Sequence, residues 1–208
     1  MPTTLLTFKT NLYGPLARND SVVAGYITRG VNFACTAIAL LYDPPELHTS
    51  GTVVVDASNE TVSIAELTRL MNIRRVFNET SNKVLYKIPF KSIDTIAPLD
   101  TAAAVHNRFY SREGFYLHVR PLSSVANTLA VSYSQYPVAV LADGTEISFS
   151  GYDSLVETLA LSYTWACLEE VETSAMWQKL GDMQLLPQQV MNKTRRYLEG
   201  GPSDGNDA

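Results

Sequence analysis

The sequence predicts an α+β protein: a helical body, made of one long N-terminal helix and a set of C-terminal helices, with a small central antiparallel β-sheet. Three observations predict it. Apolar residues recur at three- and four-residue steps from Val22 to Leu41 and again from Leu155 to Cys167, whereas between about residues 52 and 137 the period falls to two. At 208 residues and 22.9 kDa the chain suits one domain over residues 1–186, with a C-terminal helix and flexible tail over 187–208. Hydrophobic residues make up 46% and charged residues 18%, a balance that excludes wholesale disorder.

In chain order, "MPTTLLTFKTNLYGPLARND" alternates polar and apolar residues and carries Pro and Gly, which predicts an irregular start and no secretion signal. Helix 20–42 has Asn19, Asp20 and Ser21 as candidate caps and stops at Pro44-Pro45. Val22, Val23, Tyr26, Ile27, Val31, Ala34, Ile38 and Leu41 give it an amphipathic period over about six turns. No run approaches the roughly 18 to 20 apolar residues of a membrane span.

The β-rich insertion, about 52–137, opens with the β-branched "GTVVVDAS". Ile73 to Phe77 and Val84 to Ile88 flank "NETSN" as a hairpin, and "IAELTRLMN" before them fits either a helical turn or an irregular strand. "LDTAAAVHNRFY", with Asp100 as cap and three alanines, predicts a short helix. "EGFYLHVRPLSSVANTLAVSYSQYP" predicts a second hairpin. In it Phe115, Leu117 and Val119 share one face, Pro121 to Ala126 form the loop, and Leu129, Val131 and Tyr133 alternate up to Pro137.

Helices over about 152–185 follow. "GYDSLVETLALSYTWACLEEVE" is apolar on most sides, so it is expected to be buried against its own domain and against something else. "TSAMWQKLGDMQLL" restarts at Thr173 or Ser174, and "PQQVMNKTRRYLEG" has Pro187 in a first turn and Gly200 past a last one. "GGPSDGNDA" has the composition of a tail.

Site chemistry is sparse. His48, His106 and His118 have no Cys, His, Asp or Glu at ligand spacing, which predicts no metal and no cofactor. Cys35 and Cys167 sit in apolar helical patterns and are expected to be buried free thiols. "SFSGYDS" lacks the Gly-x-Ser-x-Gly of a nucleophile elbow, and Gly144 stands without a phosphate-cradling repeat. Asp153 and Glu157 read as an acidic stripe; Arg74-Arg75 and Arg195-Arg196 read as structural or interface pairs. Trp165 and Trp177 are expected to anchor the core or an interface. A small enzyme using His106, Arg108 and Tyr110 is a weaker alternative, because the three also make the polar face of a short helix. Charge is polar along the chain. Nine basic residues between Arg69 and Arg120 face four acidic ones, whereas from Asp143 to Asp182 eight acidic residues face Lys179 alone. Such a distribution suits self-assembly; two solvated faces explain it as well.

The ordered set "GFYLHVRPLSSVANTLAVSYSQYP", "GYDSLVETLALSY" and "EEVETSAMWQKL", within Phe109 to Leu186, resembles the head-to-tail adaptor (connector) proteins of tailed bacteriophages, the tail tubular protein A-like group. One departure is that Ser150-Gly151 precede Tyr152 where that family often has Pro. The resemblance implies a non-enzymatic structural virion protein at the head-tail junction, made in the host cytoplasm. It implies a homo-oligomeric ring, usually of twelve copies, between the portal protein and a tail or nozzle component, with DNA passing through without sequence-specific binding and no membrane. The segment reaching the portal maps onto residues 187–208, with Val190, Arg195, Arg196, Tyr197 and Leu198 as contacts. Tyr152, Leu155, Leu159, Tyr163, Trp165 and Trp177 become subunit-interface or core anchors, and the second hairpin an interaction module. The alternative is a soluble protein-binding module or assembly chaperone.

Overall fold

A computed structural model describes residues 3–93, 106–170 and 173–182. Two compact units make up the chain: residues 1–47 with 137–208, and residues 48–136. The first unit is helical and contains α1 (Leu5–Leu16), α2 (Ser21–Tyr42), α4 (Asp153–Cys167) and a further helical segment, residues 173–182. The second contains β1 (His48–Val55), β2 (Thr61–Ser63), β3 (Leu70–Asn78), β4 (Lys83–Lys87), the one-turn helix α3 (Phe90–Ile93), β5 (Phe109–Glu113), β6 (Tyr116–Arg120) and β7 (Asn127–Gln135).

In the helical unit α2 starts where Asp20 accepts hydrogen bonds from the Val22 and Val23 N–H groups, both at 3.0 Å. Val23, Ile27, Val31, Ala34 and Ile38, at helical spacing, bury the face that meets α4 and α1. Gly30 is the closest approach: a Cβ built there would lie 2.8 Å from the Ala160 carbonyl oxygen, so the absence of a side chain lets α2 and α4 touch backbone to backbone. By length and composition α2 also meets the measure of a membrane span, contrary to the reading of its sequence; a core helix meets the same measure. The start of the chain is not irregular. Thr4 caps α1, and Leu5, Phe8, Leu12 and Leu16 are buried at steps of three and four. Pro15 falls in the last turn, where losing one N–H ends the helix without breaking its middle. Segment 138–149 returns to this helix, with the Leu5 N–H on the Thr145 carbonyl and Lys9 Nζ 2.6 Å from Asp143.

The expected helical body with a small antiparallel sheet is incorrect. The sheet has seven strands in the order β1-β7-β3-β4-β5-β6-β2, and β1 and β2, its two ends, come into contact, so it nearly closes into a barrel. The protein is therefore mixed α/β, and one strand pair is parallel: Tyr86 and Lys87 of β4 align with Phe109 and Tyr110 of β5. Part of the error lies at "LDTAAAVHNRFY". Residues 94–105 lie outside the described residues, but Phe109 and Tyr110 extend as strand and not as helix, with Tyr110 buried. The open segment 64–69 is a turn leading into β3.

The second hairpin also fails. β6 and β7 do not pair with each other: β6 lies between β5 and β2, and β7 between β1 and β3. The segment joining them is held from elsewhere, because the Ser58 N–H bonds the Ser123 carbonyl at 2.8 Å and Asn107 Nδ2 bonds the Pro121 carbonyl at 2.8 Å. These anchors carry the chain across the sheet. The tight turn belongs to β5 and β6, where Gly114 takes φ +56°, a conformation costly for residues with a Cβ. The first hairpin forms as β3 and β4 around residues 79–82. Inside the sheet Val53, Val55, Val76, Leu117, Val119, Leu129 and Val131 make one apolar cluster. At one rim the buried Asn78 and Asn127 side chains share a 2.7 Å hydrogen bond, which His106 Nδ1 joins at 3.1 Å.

Candidate functional site

The anchors expected on the C-terminal helix divide by burial. Leu155 and Leu159 are core, whereas Tyr152, Tyr163, Trp165 and Trp177 are half-buried. Tyr152 packs against Tyr42 and edge-on to Phe149, with ring centroids 5.5 Å and 5.6 Å apart. Burial, reinforced by Tyr152, pushes the Tyr42 hydroxyl up to about 12. Tyr163 stacks on Phe33 of α2 at 5.5 Å. Most of α4 is covered by its own unit, with Val156, Ala160 and Leu161 buried beside those leucines. Of the two long helices, α2 shows more exposed apolar surface, at Val22, Phe33, Leu40 and Leu41. The one-sided reading of that helix missed it, although the four-and-three spacing of Val22, Tyr26, Arg29, Phe33, Thr36 and Leu40 was visible in the sequence. The portal-facing candidates Val190, Arg195, Arg196, Tyr197 and Leu198 lie outside the described residues.

His106, Arg108 and Tyr110 do not converge. His106 belongs to the asparagine network, Arg108 is exposed, and Tyr110 is in the sheet core, its hydroxyl pushed up by burial. His118 sits edge-on to Phe90 with its Nε2 3.4 Å from Glu113. Beside it the Arg120 guanidinium, 2.6 Å from Glu60, holds that carboxyl below its ordinary value through the hydrogen bond first and its charge second. Cys35 is a buried free thiol pushed up to about 12 by burial, and so inert as a nucleophile; Cys167 is free but only half-buried, not buried as expected.

Among the described residues the β unit carries the following depressions. One, of about 570 Å³, is open and basic, lined by His48, Ser50, Arg74, Arg75, Ser132 and Tyr133, with Arg74 bonded to His48 and Arg75 over the Phe77 ring. The other, of about 580 Å³, lies where β4 and β5 splay apart, between Lys83, Tyr86, Asn107, Arg108 and Phe109. Both suit contact with an anionic or aromatic surface, and neither brings a nucleophile together with a base. The units differ in charge: residues 48–136 hold nine basic and seven acidic groups, and the remainder seven basic and fourteen acidic. No family model matches the chain, and no curated protein matches it as a relative.

Proposed function

We propose that the chain is a structural virion protein, an adaptor that forms a ring between the portal and the tail of a tailed bacteriophage and leaves a channel for DNA. The observation that carries this reading is the pairing of an acidic helical unit bearing exposed apolar residues with a basic β unit placed within it in sequence. Surfaces of that kind serve assembly, because burying apolar area supplies affinity and opposite charge sets orientation. The resemblance across Phe109 to Leu186 points the same way. In this reading the seven-stranded unit takes the role of the interaction module, and residues 187–208 reach the portal. An overall charge of −5 suits a channel that DNA must slide through, since neutralising many phosphates would hold the DNA in place.

Light scattering on the purified chain, alone and mixed with the portal protein of the same virus, tests it. The expected result is a stoichiometric ring on the portal, built from 22.9 kDa subunits. A chain that ignores the portal would instead be a soluble binding module or an assembly chaperone. Truncation after Leu186 is expected to abolish portal binding, and retained binding would remove the C-terminal segment from the interface.

A further inference from the structure

Helix α2 is apolar on two opposite sides. One is buried in the helical unit. On the other, Val22, Tyr26, Arg29, Phe33, Thr36 and Leu40 follow at steps of four and three, and Val22, Phe33 and Leu40 remain 56%, 50% and 58% exposed. That alternation is how a helix offers one continuous seam to a second helix. At about 1.5 Å per residue the seam runs about 27 Å, and the stacking of Phe33 on Tyr163 widens it onto α4. A single exposed Leu needs no explanation, but three exposed apolar side chains along one line of a helix, with Arg29 between them, do.

We propose that this seam is the contact between subunits, and that its occupant is a second copy of the chain presenting the helical segment 173–182 and the turn before it. The inference rests on the ring reading above. Charge selects the occupant: the middle of the seam carries Arg29, while the stretch from Asp143 to Asp182 has Lys179 as its one basic residue and shows Glu169, Glu170 and Asp182 at the surface. Shape agrees, because Met176 and Leu180, one turn apart, are both exposed and supply an apolar row beside those acids. The two surfaces lie on different elements, so copies can join head to tail, a heterologous contact whose repetition makes a ring where the rotation closes. A parallel pairing of two α2 helices would set Arg29 against Arg29. A membrane surface would bury Arg29 in the centre of the apolar stripe, where interfacial helices keep their basic residues on the polar side.

Sedimentation of the full chain over rising concentration, with and without portal protein, tests the assignment. Phe33→Glu is expected to abolish association of the chains while keeping the circular dichroism of the fold and lowering the melting temperature by a few degrees at most, since Phe33 is half exposed and loses only its stack on Tyr163. Arg29→Glu is expected to weaken association at least tenfold, and adding Glu169→Arg and Glu170→Arg to restore most of it. Wild-type association by Arg29→Glu, a closed dimer indifferent to Glu169 and Glu170, or binding to anionic phospholipid vesicles that Phe33→Glu removes would each overturn the seam. If Phe33→Glu still assembles on the portal as wild type does, the seam is wrong and the adaptor reading stands. If wild type ignores the portal yet self-associates through Arg29 and Glu170, the seam stands and the adaptor reading falls. A wild type that stays monomeric throughout overturns both.

Discussion

The β unit and the helical unit dispose of apolar surface in opposite ways. In the β unit the inward residues of β1, β3, β6 and β7 share a single cluster, and the sheet curls until its end strands touch, so strand pairing and core burial close together. The outward positions of β7 are small, with Thr128, Ala130 and Ser132 half-buried. A helix satisfies its own backbone and leaves its sides to be covered one at a time. In the helical unit α4 is covered almost all round, and α2 on one side only. Closure covers the inner face of the sheet, whereas the bundle leaves apolar residues of α2 exposed.

The two units are expected to respond differently to damage, and both tryptophans, Trp165 and Trp177, lie in the helical one, so their fluorescence reports it alone. The largest effect is expected from Leu129→Ala, at the centre of the sheet cluster and fully buried. Its loss should cost about 3 kcal/mol in the β unit, measured by hydrogen exchange of β7 amides, with the tryptophan transition in urea unmoved. A tryptophan transition that shifts equally would merge the two units into one cooperative block and break the comparison. Gly30→Ala acts on the other side. An exposed helical Gly→Ala gains about 1 kcal/mol, but here the methyl meets the Ala160 carbonyl oxygen at 2.8 Å and two backbones must part. The net result is expected to be a loss of about 1 to 2 kcal/mol, seen in tryptophan fluorescence; a gain would mean that α2 and α4 are not locked by that approach.

The contrast also explains what the sequence disclosed. α2 was legible because its cap, its period and its terminating prolines agree. β3 and β4 were legible because a polar turn sits between two alternating runs. α1 is hidden by Gly14 and Pro15, which sit at its end yet punctuate the whole stretch when only composition is read. Strand partnership was hidden for a different reason. Alternation shows which face of β6 and β7 is buried, but their partners follow from closure of the sheet and from the side-chain and backbone anchors at Ser58 and Asn107, which no local pattern announces. The residues expected as subunit-interface or core anchors lie mostly on α4, and Leu155 and Leu159 among them are core. Total apolarity marks burial, as on α4, whereas exposed apolar residues show as a second line on a helix that is otherwise buried on one face, as on α2.

Smaller effects sharpen the comparison through acid, since each unit holds a carboxylate pulled below its ordinary value. In the β unit Glu60 is held down by Arg120. A depressed carboxyl stabilises the fold above its unfolded value of 4.5 and loses that contribution as pH falls through its folded value. Glu60→Gln should flatten the acid limb of β-unit stability. The cost at neutral pH should stay under about 1 kcal/mol, because the side chain is 59% exposed and solvent screens the pair.

In the helical unit the corresponding group is Asp20, lowered first by the Val23 N–H, opposed next by desolvation, and lowered further by Arg18 and the Val22 N–H. The sign is the same: its stabilisation is complete above the ordinary value of 3.8 and fades as pH falls through the lowered one. Asp20→Asn keeps an acceptor for the Val22 and Val23 N–H groups and removes the proton equilibrium. Fluorescence-detected urea unfolding at a series of acid pH values should therefore show a shallower slope below pH 3.8 for Asp20→Asn than for wild type. Asp20→Ala should lie below wild type at neutral pH as well, having lost the cap outright. An unchanged slope in Asp20→Asn would show that the acid response of the helical unit arises elsewhere. A change that also appears in the β7 amides would show that a cap on α2 is felt in the sheet, and the separation between the closed β unit and the helical unit would no longer hold.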